Sequence, residues 1–487
     1  MEVEFDSMIR TANKRLTGFL KIPDKFASKI KVHNNVEVVI NDQKFFGQIV
    51  KFSGAIGVYV PKEIAKNYIG KVVKIKLGET KKSYAKVGSD GRIYLPLDLV
   101  RNMRLENNDI ICIVISDSQT IVRRYSEVKM RKRVNKIEYK CIIGSDLAGK
   151  RVCFNVEKLT KTVKLSSNFV DISEFLANTN FAQLPDGNLI IFKCKIPIII
   201  NPKINLHDIA LYMGAYYSDG TKKGNNWAIC ASTFNQANYY YKMHEKITRH
   251  SDIEFVISYT NVAEENESNI INRLKCEWAK NFGNYPYKFR IRTPSGKAFG
   301  KVNKFGTLIM REHRIALLDF YNMILGKLSD AVKKGDKKLA VDFLCGVLEG
   351  DGCVPSKTHG HVIIATNNQE YHAIEVAFGI AGIKSKTVWE SPTRVFIRIG
   401  SLEILRNFDV LKNKIFALYP KRRRRLFESL HKVGAVQFLL DQNHRSPVWI
   451  KTWLKENEFI DKDYKLTMKG KKLRNDLRRC IKSVTVK

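Results

Sequence analysis

Two aspartates, Asp219 and Asp351, close two similar segments, IALYMGAYYSDG and FLCGVLEGDG, at an offset of 132 residues (351 − 219). Each is followed by a glycine, Gly220 or Gly352. Carboxylates brought together must share a proton or bind a cation, because like charges held close raise each other's cost of ionisation. Carboxylate, carbonyl and water are hard oxygen ligands suited to Mg²⁺ or Mn²⁺. An ion placed between such a pair and a scissile phosphate would assist phosphodiester hydrolysis. Asp219 and Asp351 are therefore the candidate catalytic residues and metal ligands.

The flanking sequence predicts the elements that bring them together. Asn205 stands where a helix cap is preferred, with Asp208 three residues on in the manner of a capping box. Leu211, Gly214, Ala215 and Ser218 then fall on one helical face, and Phe343, Gly346, Val347 and Gly350 repeat that face in the second segment. A helical glycine costs about 1 kcal/mol relative to alanine. Two small-xxx-small faces, Gly214/Ser218 and Gly346/Gly350, point to a compensating close approach of the two helices. Side by side in the same sense, the helices would deliver both aspartates to one place, at C-terminal ends where a cation is needed. Gly220 and Gly352 are expected as left-handed stops. The structural alternative is two core helices ending in ordinary Asp-Gly turns.

At these residues the sequence resembles the LAGLIDADG homing endonucleases in their two-motif, single-chain form. The motif maps onto Tyr212–Gly220 and Leu344–Gly352, with glycines at 214, 220, 346 and 352 and the eighth-position acid at Asp219 and Asp351. The similarity continues at 231–236 and 364–369, where Thr233, Asn235 and Gln236 answer Thr366, Asn368 and Gln369. The sixth position departs from the pattern, being Tyr217 in one copy and Glu349 in the other, and the opening Leu is Tyr212 in the first. The resemblance implies a pseudo-twofold αββαββα core over 201–425, with repeats at about 205–330 and 336–425. It also implies metal-dependent cleavage of double-stranded DNA with one Asp per strand, the two sheets lying in the major groove. The Gly220 and Gly352 carbonyls are candidate auxiliary metal ligands. Lys301, Lys304, Lys414 and Lys421 are candidates, by position, for the basic residue that supports the attacking water.

The 487 residues carry 84 Lys+Arg against 48 Asp+Glu, a formal net charge of +36, with 44% hydrophobic content. Such a chain can bury several cores and attracts a polyanion. Membrane spanning is excluded: the most apolar stretch, Leu189–Ile200, contains Lys193, Lys195 and Pro197 and is shorter than the ~18–20 residues a span needs. Acidic Glu2, Glu4 and Asp6 argue against a leader peptide, and nine cysteines without a CxxC pair fit reduced thiols in a cytoplasm, nucleoid-associated when DNA is bound. The first residue, Met1, and the VTVK ending lack the splicing residues of an intein, so a free-standing, intron-encoded enzyme is expected. Walker A, GxGxxG and HExxH patterns are absent. His359, Asn368 and His372 suggest an HNH nuclease only superficially.

Toward the N-terminus, Tyr59, Pro61 and Ile64 recur as Tyr94, Pro96 and Leu99 in a strand–helix–strand repeat. The pattern resembles tandem AbrB-type swapped-hairpin DNA-binding units over 1–125, with a plain small β-barrel as the alternative. Residues 126–200 read as a β-rich connector without a functional signature. Residues 426–487 resemble a winged helix, with a recognition-type helix at Val448–Asn457 and LTMKGKKL as wing and final helix. Positive charge is densest here, at 21 Lys+Arg against 7 Asp+Glu over 412–487. Candidate DNA contacts are Lys222, Lys223, Lys357, Arg394, Arg398 and the run Arg422, Arg423, Arg424 and Arg425. The expectation is thus a multidomain α+β, monomeric, site-specific DNA endonuclease. The alternatives are a non-cleaving transcriptional regulator on the same scaffold and a maturase acting on structured intron RNA.

Overall fold

The computed structural model describes the chain outside residues 1, 12–17, 28–31, 33–34, 42, 53, 80–82, 117–120, 134–135, 162, 164–168, 194–196, 250–251, 261–265, 292–303, 356–359 and 486–487. It is α+β and divides into two compact units, Met1–Thr162 and Val163–Lys487. Among the described residues no helix is long and apolar enough to cross a membrane.

In the first unit, strands within residues 2–79 close a six-stranded barrel around Leu20, Val36, Val38, Ile40, Val58 and Ile75. The repeat seen in the sequence is a structural one. Ala55–Val60 leads through Pro61 into the helix Lys62–Tyr68 and on to the strand Val72–Glu79. Arg92–Tyr94 leads through Pro96 into Leu97–Asn102 and on to Ile110–Ser116. The two prolines sit at the helix caps in nearly the same conformation, φ −53°, ψ 145° and φ −57°, ψ 137°, as expected for a residue whose missing N–H costs nothing there. The unit does not end at residue 125. Ile121–Glu127 and Arg151–Lys158 both pair with Ile110–Ser116, and Lys136–Ile142 pairs with Arg92–Tyr94. Residues 126–158 thus pack into the second half of this unit, a four-stranded and a three-stranded sheet, because its core (Ile93, Val100, Ile111, Ile113, Val152, Phe154) needs their apolar faces.

In the second unit the expected boundaries again fall inside continuous packing. Asn180–Gln183, Leu189–Phe192 and Ile198–Ile200 form a sheet with Thr248–Arg249. At the other end, Leu426, Phe427, Leu430, Leu439, Leu454 and Leu477 belong to the same apolar cluster as the central helices. Residues 426–487 are therefore not a detached module. They contain the helices Gly434–Leu440, Val448–Glu456 and Met468–Thr485. In place of a two-stranded wing there is a tight turn closed by one bridge, Ile460 to Leu466.

Between these lie two copies of one plan. The second runs helix Lys337–Asp351, strands Gly352–Cys353 and Val362–Asn367, helix Tyr371–Ala381, strands Lys386–Ser391 and Arg394–Ile399, and helix Ser401–Arg406. The first follows it with helix Leu206–Asp219, a bridge at Gly220, strand Trp227–Ala231, helix Phe234–Ile247, strands Glu254–Tyr259 and Thr307–Glu312, and helix Ile315–Lys333. Strand order agrees: in each sheet the last strand of the copy lies between the other two long ones. The first copy additionally inserts helix Glu267–Asn281 and strand Lys288–Ile291, which extends its sheet by a parallel edge.

Candidate active site at two helix ends

The helices Leu206–Asp219 and Lys337–Asp351 cross at their small-residue faces. A Cβ on Gly214 would strike the Phe343 carbonyl oxygen, one on Gly346 the Leu211 carbonyl oxygen, and one on Gly350 the Ser218 hydroxyl. Gly214, Ser218, Gly346 and Gly350 therefore form the helix contact; a larger residue at 214 or 346 would need backbone movement, and one at 350 would displace the Ser218 and Asp219 side chains. Asn205 caps the first helix by accepting from His207 N at 2.9 Å; Asp336, accepting from Leu339 N at 2.9 Å, caps the second.

Gly220 and Gly352 end the helices for a different reason from the one expected. Their backbones are extended (φ −96° and −71°), not left-handed. A Cβ at either would hit the carbonyl oxygen four residues back, Tyr216 O or Leu348 O. The glycines let the chain leave the helix straight into the first strand, where Gly220 bridges Ile229 and Gly352 pairs with Ile364.

The parallel helices bring Asp219 and Asp351 into electrostatic contact. Burial pushes the Asp219 carboxyl up to about 6, opposed by Arg422 and Lys222. Burial also lifts Asp351 to about 7, and the neighbouring charges of Asp219 and Glu370 push the same way. Glu349, two residues before Asp351, is buried, raised to about 7 mainly by desolvation, and held by the Leu418 N–H at 2.8 Å.

One cation answers each helix end. Arg422 Nη1 donates to the carbonyls of Glu349 (2.9 Å) and Gly350 (2.8 Å). Lys222 Nζ donates to the Tyr217 carbonyl and pairs with Glu370. Glu349 and Tyr217 are equivalent positions of the two motifs, so both C-terminal dipoles are capped at the same carbonyl. The copies also cross-brace each other: Gln236 Nε2 donates to Glu349 O at 2.8 Å, and Tyr217 OH donates to Glu370 O at 3.0 Å.

The other predicted residues distribute unevenly. Lys414 pairs with Asp342, nine residues and so about 13 Å of helix before Asp351, which removes it from the carboxylates. Lys304 and Lys421 line one cavity, which contains neither aspartate, and Lys301, Lys357 and His359 lie outside the described residues. Of the arginine run, three guanidiniums turn inward. Besides Arg422, Arg423 donates to Ile415 O (3.0 Å) and Lys412 O (2.7 Å), and Arg425 to Val354 O (3.2 Å). Arg424 is exposed and bonds Glu428 at 2.8 Å. The run serves chiefly to satisfy orphaned carbonyls, a demand that a charge count does not register. Lys223 is exposed in the loop after the first helix.

Arg394 and Arg398 alternate outward on one strand. The register adds a residue the sequence did not suggest: Arg311 pairs with Ala228, and Arg398 with Ile363, at matching distances from the Gly220 and Gly352 bridges. Arg311 is therefore the partner of Arg398 in the other copy. The motif-flanking match also shifts in role. Thr233 caps the helix Phe234–Ile247, whereas Thr366 lies in a strand and Asn367 accepts from Gln369 N and Glu370 N instead.

Two carboxylates at one end of a glycine-packed helix pair, with backbone oxygens close by, form a hard-oxygen donor set. Among the described residues no group of three or more His, Cys, Asp and Glu side chains forms a metal cage. The donors thus suit an ion that keeps several waters, as Mg²⁺ does. The carboxyl pKa values stay raised although Lys222 and Arg422 act on both acids, so the pair still favours a further cation.

The arrangement defines a two-copy α+β unit with paired acids at its helix ends. No protein-family model and no curated protein matches the chain. Among solved structures it is similar to the crystal structure of I-DmoI in complex with DNA and Ca, at 13% identity and TM-score 0.22, over 42% of this chain and 91% of that one. It is also similar to full-length DUF199/WhiA from Thermatoga maritima, at 11% identity and TM-score 0.25, over 58% of this chain and 92% of that one. Scores this low carry no functional assignment.

Proposed function

We propose that the chain is a site-specific double-stranded DNA endonuclease of the LAGLIDADG type, built on a pseudo-twofold αββαββα core. The observation that carries this reading is the delivery of Asp219 and Asp351 to one place by the Gly214–Gly346 helix contact. Mg²⁺ or Mn²⁺ would be held by the two carboxylates, with the Gly220 and Gly352 carbonyls as auxiliary donors, and would supply charge stabilisation at the scissile phosphate. The chain's own residues do the rest. Lys222 and Arg422 secure the helix ends from which the acids project, and Glu349 anchors the second end to Leu418. The two sheets offer outward arginines at equivalent positions, Arg311 and Arg398, to a duplex backbone, and a net charge of +36 favours that partner.

A single observation favours a second reading. Lys222 and Arg422 already lie within electrostatic reach of both acids, so the pair could be neutralised without metal in a DNA-binding regulator that does not cut. The discriminating experiment is plasmid cleavage against a library of sites with Mg²⁺, comparing wild type with Asp219→Asn and Asp351→Asn. Each single substitution is expected to abolish cutting of one strand and leave nicked circles. Specific binding with no metal-dependent nicking establishes the regulator. Cutting that survives both substitutions removes the acids from the mechanism, and preference for structured RNA over duplex DNA in competition establishes the maturase.

A further inference from the structure

Between residues 232–235 and 419–421 lies a cavity of about 550 Å³ whose lining combines rings and cations, within the ~300–1,000 Å³ range of small-ligand sites. Phe234, Phe305 and Tyr419 supply the rings, and Lys304 and Lys421 the charges. Phe234 and Phe305 pack against each other with centroids 5.2 Å apart. The Arg422 guanidinium lies 4.1 Å from the Tyr419 ring centre and adds a third positive charge near the cavity. Both lysines are exposed, so neither is consumed in core packing. A connected path of bonds joins this cavity to the second helix end: Thr233 Oγ1 donates to Leu418 O at 2.8 Å, and Leu418 N donates to Glu349 at 2.8 Å.

The rings and cations are already set against one another, Lys304 Nζ 4.8 Å from the Phe305 ring centre and Phe234 against Trp278; an apolar ligand would not use the two lysine charges, and a free anion would not use the half-buried rings. A ligand with one anionic end and one flat aromatic end uses both. We propose that this cavity binds a single unstacked nucleotide, its phosphate on Lys304 and Lys421 and its base against the Phe234–Phe305 rings. Stacking of this kind tolerates every base, because each has a π-face. That the nucleotide is one unit of a bound strand rests on the nuclease reading; the cavity's chemistry does not.

The test uses the full chain with thymidine 5′-monophosphate, thymidine and inorganic phosphate as probes, followed by saturation-transfer NMR and calorimetry. The monophosphate is expected to bind about tenfold more tightly than either fragment, since it alone uses both ends of the cavity. Lys304→Ala and Lys421→Ala should each weaken it about five- to tenfold. Asn235 is exposed at the rim, so Asn235→Trp should block binding without entering the core, which guards against a variant that merely misfolds. Phosphate binding as tightly as the nucleotide, or nucleotide binding indifferent to Asn235→Trp, overturns the proposal. Thymidine binding that ignores both lysine variants marks an apolar cleft and overturns it equally. Cleavage measured on the same preparations separates the two readings: cutting without nucleotide binding sinks the cavity alone, and nucleotide binding without cutting sinks the nuclease alone.

Discussion

Gly350 of one helix abuts Asp219 of the other: a Cβ built on Gly350 would lie 2.8 Å from Asp219 Oδ2. Glycine is thus what allows the acid of the first motif to sit against the helix of the second. The same absent methyl that permits helix contact permits the carboxylate pair.

Gly350→Ala should therefore disturb the site more than the fold, because the two nearest atoms it meets are the Ser218 hydroxyl and the Asp219 carboxylate, ends that can swing aside, with only a small shift needed at Ser218 Cβ (2.9 Å). Gly346→Ala meets the Leu211 carbonyl oxygen and the Ala215 nitrogen, which cannot. Overpacking typically costs about 1–3 kcal/mol. Gly346→Ala is expected at the upper end or above, and Gly350→Ala at the lower end with loss of metal-dependent activity. Denaturant melts paired with cleavage assays check this; equal destabilisation by both variants would contradict the packing argument.

The helix faces and the acid pair were legible in the sequence because both are periodic and repeated. Small residues four apart announce close approach, and the offset of 132 pairs Asp219 with Asp351. What was not legible depends on contacts distant in the chain. Arg422 caps carbonyls more than 70 residues away, and Lys414 is drawn off by Asp342 at a separation of 72; charge counting sees only a basic run. The 426–487 segment has helices where a winged helix predicts them, yet its apolar faces merge with the central cluster. Gly220 and Gly352 read as left-handed stops because glycine usually is one, whereas here the clash is with a carbonyl oxygen four residues back.

Asp219 and Asp351 set a pH dependence with a definite sign. Their folded-state values of about 6 and about 7 stand above the 3.8 of an ordinary Asp. Below about pH 4 both states hold the protons and the stability is fully present. As pH rises toward 7 the unfolded chain ionises first, so stability declines through that window and levels off above it. Glu349, also at about 7, adds to the slope. A divalent cation binds the ionised pair and opposes the decline. The rise in Tm on adding about 10 mM MgCl₂ should be near zero at about pH 5 and a few degrees at about pH 8, and it should vanish in Asp351→Asn. A shift that is constant across pH, or retained in that variant, places the ion elsewhere.

Arg422 is expected to behave as a helix cap and not as a phosphate clamp. Its Nη1 donates to the Glu349 and Gly350 carbonyls, so Arg422→Ala takes that donor from Gly350 O, while Glu349 O keeps Gln236 Nε2, and should cost about 1–3 kcal/mol. Arg424→Ala removes an exposed pair with Glu428 and should cost less than about 0.5 kcal/mol. A urea titration of both variants decides it. If Arg422→Ala is as stable as Arg424→Ala, the capping bonds contribute nothing.

Arg311 and Arg398 give the sheets their most direct test, because strand register and not sequence similarity makes them equivalent. Each stands on the outward row of a strand whose other row is buried: Leu308, Met310 and Glu312 in one copy, Val395, Ile397 and Ile399 in the other. Their settings differ. Arg311 shares Glu254 at 3.8 Å with His313 (3.2 Å) and Lys288, whereas Arg398 faces Lys386 across the strand pair. If both contact phosphates of a duplex, alanine at either should flatten the dependence of log K on log salt by about one unit of slope. The loss of affinity should be greater for Arg398, since among the described residues no carboxylate pairs with it, whereas Arg311 shares Glu254. Substituting both should give additive losses, as expected for sites in separate sheets. Fluorescence anisotropy with a cognate duplex across a salt series reads slope and affinity together. Unchanged slopes in both variants would move the duplex off these sheet faces.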